Sequence, residues 1–213
     1  MELAQAAVEI ARGAGGIVMR HYRERAGVVA RKSSVIDLVT AADRESEAHV
    51  LAEIARRFPD HVVWAEESGK RGHDGPFRWV IDPLDGTSNF AHRLPHFCVL
   101  VAVQERDARG DFKTVVGVTL DPVRDELFLA VRGKGATLNG EPIAVSKVGR
   151  LIDAVATTGF AYDRLFRDDN NHAEFCRMNL LTQGCRRMGA AGLDFAYTAC
   201  GRVDVFWEYG LSP

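Results

Sequence analysis

The residues best suited to chemistry lie in the segment Trp79-Val-Ile-Asp82-Pro-Leu84-Asp85-Gly86-Thr87-Ser-Asn-Phe90. An apolar strand runs straight into two carboxylates, Asp82 and Asp85, and a glycine and a hydroxyl residue follow where a short helix begins. Carboxylates at a strand end project into a shared cleft, and hard cations such as Mg²⁺ take oxygen ligands. Pro83 stiffens the turn between the two acids. Gly86 lets the backbone approach a ligand closely, and the amides of Gly86 and Thr87 are set to face a phosphate at the helix start. A second acidic cluster, Glu66-Glu67-Ser68, also follows an apolar run, Val62–Ala65. A third set is Lys32-Ser-Ser-Val-Ile-Asp37-Leu-Val-Thr40-Ala-Ala-Asp43. Taken singly, each has an ordinary reading: an acidic turn, a solvated strand end, a helix-capping partner in Asp43, a surface lysine in Lys32. Taken together, they can converge as a two-metal site of the kind that activates water against a phosphoryl group.

The elements that must position these clusters are legible in outline. Residues 2 to 24 carry a helical stripe of Leu3, Ala6, Ala7, Ile10, Ala14, Ile17 and Val18, weakened by Gly13, Gly15 and Gly16. A second helix is expected from Thr40 to Phe58, with Thr40 as cap and Asp43 in the capping-box position. Strands are expected at Val62–Ala65, Arg78–Ile81, Cys98–Gln104, Thr114–Leu120 and Glu126–Val131, with a mobile loop over Ser68–Pro76 and a hairpin turn at Asn139-Gly140. Beyond residue 140 the pattern alternates: strand 154–158, helix 168–182, a short run 185–188, helix 190–199 and strand 203–209. This predicts an α/β layer following an antiparallel α+β layer.

Composition excludes several classes of function. With 27 Lys and Arg against 29 Asp and Glu, the net charge of −2 lacks the basic excess of a nucleic-acid binder, so direct nucleic-acid binding is not expected. No apolar run approaches the ~20 residues that cross a bilayer, and the N-terminus lacks the layout of a secretory signal. Cys98, Cys176, Cys185 and Cys200 form no CxxC pair and read as buried thiols of a reducing compartment, which predicts a cytoplasmic protein.

On these residues the chain resembles the inositol monophosphatase family, within the magnesium-dependent, lithium-sensitive sugar-phosphatase superfamily. Asp82-Pro-Leu-Asp85-Gly-Thr87-Ser-Asn-Phe90 is similar to the signature DP(I/L)DGTxNF. The Lys32–Asp43 segment resembles the family's mobile loop, and Ala65-Glu66-Glu67-Ser68 its (G/A)EES element. Gly189-Ala190-Ala191 and Glu208-Tyr-Gly-Leu-Ser-Pro213 resemble its substrate-side segment, so the likeness covers essentially the whole chain. It implies an αβαβα layered sandwich, α+β with α/β, built from an N-terminal α+β metal-binding subdomain over 1–140 and a C-terminal α/β subdomain over 141–213. In the family a WDxAAG signature, whose Asp is a metal ligand, follows a stretch like Gly210–Pro213. The resemblance therefore implies a chain truncated before that signature, with an incomplete C-terminal layer and a weakened second metal site.

The resemblance also assigns roles. Two to three Mg²⁺ ions are implied, the first held by Glu66, Asp82 and the carbonyl of Leu84, the second by Asp82 and Asp85, with Glu66 reaching a third through water. Thr87 paired with Asp43 would orient and deprotonate the attacking water, and Lys32 would add positive charge near a phosphate resting on the amides of Gly86 and Thr87. Asp85, the backbone near Ala191, and Glu208 would bind substrate hydroxyls, while Arg186 and Arg187 face the substrate mouth or a dimer contact or stand as an exposed surface pair. The implied activity is hydrolysis of myo-inositol monophosphate or a similar polyol phosphate by a lithium-sensitive homodimer. Fructose 1,6-bisphosphate, histidinol phosphate and phosphoadenosine phosphate are the alternative substrates, and a weakly catalytic regulatory or scaffold protein is the alternative role.

Overall fold

The computed structural model describes residues 2–24, 28–31, 38–72 and 75–211; Lys32 and Asp37 lie outside them. Helix α1 (Glu2–Glu24) buries the expected stripe, including Ala7, Ile10, Ala14 and Val18. Its glycines are contact points: a Cβ on Gly13 would strike the His49 ring, and one on Gly15 the Leu120 side chain. A short antiparallel pair, β1 (Val28–Arg31) and β2 (Leu38–Thr40), leads into helix α2 (Ala41–Arg57). The α2 N-terminus carries the predicted capping box, in which the Thr40 hydroxyl accepts from the Ala42 and Asp43 amides while Asp43 accepts from the Thr40 amide.

A large sheet follows, made of β3 (Val62–Ala65), β4 (Gly69–Arg71), β5 (Phe77–Asp85), β6 (Cys98–Arg106), β7 (Phe112–Asp121), β8 (Glu126–Val131), β9 (Gly135–Leu138) and β10 (Glu141–Pro142), with the five-residue helix α3 (Thr87–Ala91) between β5 and β6. Their spatial order is β10-β9-β8-β7-β6-β5-β3-β4. The sheet is mixed, not purely antiparallel as expected, because β3 runs parallel to β5 while its other neighbours alternate. Part of the expected Ser68–Pro76 loop is β4, which folds back on β3 with Ala65 opposite Gly69.

The second half supplies helix α4 (His172–Leu181), helix α5 (Ala191–Ala199) and a parallel three-stranded sheet in the order β12 (Cys185–Arg186), β11 (Ala156–Thr158), β13 (Val205–Trp207). Contacts run in layers: α1 and α2 on the large sheet, α5 between that sheet and the small one, and α4 on the far side of the small sheet. Strand alternation explains this sandwich. Trp79, Ile81, Val99, Val101, Val103, Val116, Val118 and Leu120 join the helices α1 and α2 in one core. Cys98, Phe128, Ala190, Leu193 and Tyr197 form a second core on the α5 side.

The cysteines depart from expectation. All four are free thiols, but only Cys98 is buried; Cys176 is exposed and Cys185 and Cys200 are half-buried. Among the described residues, no helix is long and apolar enough to cross a membrane.

Candidate active site

The Asp82–Asp85 spacing acquires its meaning from a β-bulge. Asp82 pairs with Leu100 and Asp85 with Cys98, so three steps along β5 match two along β6. Without the extra residue, alternation would turn Asp85 away from Asp82; with it, both carboxylates face the α5 side of the sheet. Pro83, which has no N–H to contribute to the ladder, sits inside the bulge, and the Leu84 amide donates to Asp82 Oδ1 at 3.0 Å. Gly86 then takes φ +91 before α3. A side chain there would meet the His96 carbonyl oxygen at 3.1 Å and Ala190 Cβ at 3.2 Å, so both the backbone sign and the crowding call for glycine.

Glu66, Asp82, Asp85, Gly86, Thr87, Ala191 and Glu208 all line one cleft of about 1190 Å³. Asp82 is hydrogen-bonded to Glu66, and burial first, then the charges of Glu66 and Asp85, hold its carboxyl well above the usual range. Asp85 rises to about 6, also from burial, although hydrogen bonds from the Gly192 amide and Cys98 oppose the rise. The Gly192 amide donates to Asp85 Oδ2 at 2.6 Å and the Cys98 thiol approaches the same oxygen at 3.4 Å. Asp85 thus satisfies an orphan N–H at the start of α5 from across the molecule.

Behind this acidic group lies a buried pair. The Thr87 hydroxyl is 3.1 Å from Asp43 Oδ1 and 3.0 Å from the Leu84 carbonyl oxygen. Asp43 also accepts from the Thr40 amide at 2.8 Å and the Thr40 hydroxyl at 2.5 Å. Burial raises the Asp43 pKa, with the Thr40 and Thr87 hydrogen bonds pulling the other way. Asp43 therefore completes the α2 capping box and also meets the hydroxyl of Thr87, which lines the cleft.

Sequence reasoning missed several participants. Cys98 and Gly192 hold Asp85, as described above. Asn89 Nδ2 ties α3 to the His96 carbonyl at 2.7 Å and to the Met188 carbonyl at 2.8 Å. Asp194 lines the cleft, accepts from the Thr157 hydroxyl at 2.7 Å and has a carboxyl pushed up to about 7 by burial. Of the two arginines already considered for the substrate mouth or a dimer contact, Arg187 lines the cleft and also a smaller cavity with Ser88, Arg164 and His172; its charge lowers the pKa of Glu208 against the effect of burial.

The group Glu66, Asp82, Asp85 and the Leu84 carbonyl offers only hard oxygen donors. Among the described residues, no three Asp, Glu, His or Cys side chains stand ready around a single point as a metal shell. The charges of Glu66 and Asp85 push the Asp82 carboxyl up, after burial. That crowding of acids fits a divalent cation, which would relieve their repulsion. The Leu84 carbonyl oxygen lies within reach of the one Thr87 hydroxyl hydrogen, which Asp43 also competes for, and keeps at least one lone pair for an ion in either case.

The molecule is thus an αβαβα layered sandwich with an acidic cleft at the bulged end of β5. The model of the inositol monophosphatase family matches residues 1–213, and the chain belongs to that family. It is 50% identical over 186 residues to the inositol-1-monophosphatase of Synechocystis sp., covering 87% of this chain and 63% of that protein's length. It is 42% identical to the Nus factor SuhB of Pasteurella multocida over 96% of this chain and 75% of the relative. The solved inositol monophosphatase from Anabaena (Nostoc) superposes with a TM-score of 0.86 at 46% identity, covering all of this chain and 76% of that one.

Proposed function

We propose that this site hydrolyses phosphate monoesters of small polyols, myo-inositol monophosphate first among them, with two to three Mg²⁺ ions held by Glu66, Asp82, Asp85 and the Leu84 carbonyl. The observation that carries the reading is the meeting of these oxygens with Thr87 in one cleft, with the Thr87 hydroxyl hydrogen-bonded to the buried Asp43 behind it. When bound, the ions supply Lewis acidity and lower the pKa of water. The chain's own contribution to water activation is a proton path. Water donates to Thr87 Oγ1, which in turn donates to Asp43 Oδ1, whose raised pKa suits it to receive a proton. The ester's phosphate rests on the amides of Gly86 and Thr87 at the α3 start, where the cap residue makes no side-chain hydrogen bond, with Lys32 as a further cation. Asp85 and Glu208 accept hydrogen bonds from substrate hydroxyls, and the backbone near Ala191 hydrogen-bonds to them as well.

The test is phosphate release from myo-inositol 1-phosphate with and without Mg²⁺, on the parent and on Asp82→Asn. Magnesium-dependent release that falls at least ~100-fold in the variant is expected, given what removal of one charge-stabilising group commonly costs. Release that ignores Mg²⁺ or survives Asp82→Asn would refute the reading. Within it we include inhibition by Li⁺, a cytoplasmic setting, and a homodimer. The dimer is supported by Leu165, Phe166 and Leu180, which are 81%, 89% and 81% exposed, an unusual outlay of apolar surface.

A second reading is a regulatory role with little turnover, favoured by the relatives carrying the name Nus factor SuhB. Substrate panels that include fructose 1,6-bisphosphate, histidinol phosphate and phosphoadenosine phosphate separate this from a phosphatase of different preference, since only the regulatory protein would leave every ester intact.

A further inference from the structure

We propose that Asn171 and Gly159 are positioning residues that set the Glu208 carboxylate for polyol recognition; the inference rests on the role given to Glu208 above. Glu208 makes no hydrogen bond that would fix it directly among the described contacts, yet it follows Trp207, the last residue of β13. Trp207 is fastened from both sides. Its indole Nε1–H donates to Asn171 Oδ1 at 2.6 Å, and its carbonyl accepts from the Thr158 hydroxyl at 2.5 Å. The Asn171 amide group completes the ring, donating to Thr158 Oγ1 at 2.8 Å and to the Gly159 carbonyl at 2.7 Å.

One side chain thus joins the ends of β11 and β13 immediately before the two residues that meet in the cleft. Asn171 is 1% exposed and adopts φ 69 at the head of α4, where its side chain does no capping. Asparagine is among the few residues that tolerate this left-handed backbone, and it alone among them supplies two donors and an acceptor in one planar group. At the other end of the device, a Cβ on Gly159 would overlap the Glu208 carboxylate group. Gly159 has no left-handed φ, so its backbone does not need glycine; the carboxylate lying across it does.

The structural consequence is that the position of Glu208 is read through Gly159 beneath it and Asn171 behind it. Such a device would act on ligands with hydroxyls and spare those without. The experiment is calorimetric titration of the Mg²⁺-loaded chain with the non-hydrolysable phosphonate analogues of myo-inositol 1-phosphate and of phenyl phosphate, the latter with a ring that offers no hydroxyl to Glu208. The proteins are the parent, Glu208→Ala, Gly159→Ala and Asn171→Asp, the last keeping the backbone tolerance and the acceptor for Trp207 while losing both donors.

Gly159→Ala and Glu208→Ala are each expected to weaken binding of the inositol analogue about tenfold and of the phenyl analogue less than about twofold, with Asn171→Asp moving in the same direction. Equal losses on both ligands in Gly159→Ala or Asn171→Asp, or no loss, would overturn the inference, since a merely structural role does not distinguish the two probes. A Glu208→Ala effect shared by both ligands would overturn the Glu208 assignment and the inference with it. Binding of neither probe to the parent would overturn the proposed function as a whole.

Discussion

Asp194 illustrates how a single buried acid ties stability to pH. Its carboxyl is raised to about 7 by burial, with Thr157 opposing the rise, Asp85 and Glu208 adding to it and Arg187 opposing it. The unfolded group titrates near 3.8, so between about pH 4 and 7 the folded chain holds a proton that the unfolded chain has released. Stability from this group is complete below about pH 4 and is lost as pH rises through that window. Asp194→Asn keeps the acceptor for Thr157 and removes the charge. With a chelator present, the Tm of Asp194→Asn is expected to gain on the parent steadily from about pH 4 to 8; a constant difference would show a carboxyl of ordinary acidity. Nothing in the sequence singles out Asp194, because one aspartate in an amphipathic helix usually faces water. Asp82 and Asp85 were legible for the opposite reason: an apolar strand ending in two acids three apart has few ordinary explanations. Asn171 and Gly159 stay hidden at this scale, since their partners lie in other elements.

At the scale of elements, periodicity exposed α1, α2 and the central strands, and the Thr40–Asp43 cap was read from spacing alone. The parallel pairing of β3 with β5 and the short edge strands β4 and β10 were not, because hydrophobic alternation carries no direction and strands of two or three residues carry little pattern. The bulge in β5 is similar: Asp-Pro-Leu-Asp names the acids but reveals their common face only once β6 lies beside them. Docking of α3 depends on one amide. Asn89 Nδ2 serves two backbone carbonyls, those of His96 and Met188, and Asn89 is 7% exposed. Asn89→Ala would leave both without that donor, for a loss of roughly 2–4 kcal/mol in urea unfolding. A loss below about 1 kcal/mol would mean that water reaches both oxygens and that α3 is held by Phe90 instead.

For the molecule as a whole, the crowded acids predict a strong response to divalent cations. Burial and the neighbouring charges hold the Asp82 and Asp85 carboxyls above their ordinary range, so any ion that binds them only in the folded state stabilises it. Saturation at a hundredfold above Kd contributes about 2.7 kcal/mol, which should appear as a Tm several degrees higher in Mg²⁺. The same titration on Asp82→Asn should give a much smaller rise; an equal rise would locate the ion elsewhere. The Gly192 amide that clasps Asp85 comes from 107 residues further along the chain. Closing so long a loop is slow compared with forming the hairpins of the large sheet. During synthesis or refolding, β5 can therefore lie paired in its sheet while its acids remain wet and of ordinary strength. They become a strained, cation-seeking group only when α5 arrives, so the capacity to capture metal is itself a report that the last long-range junction has closed.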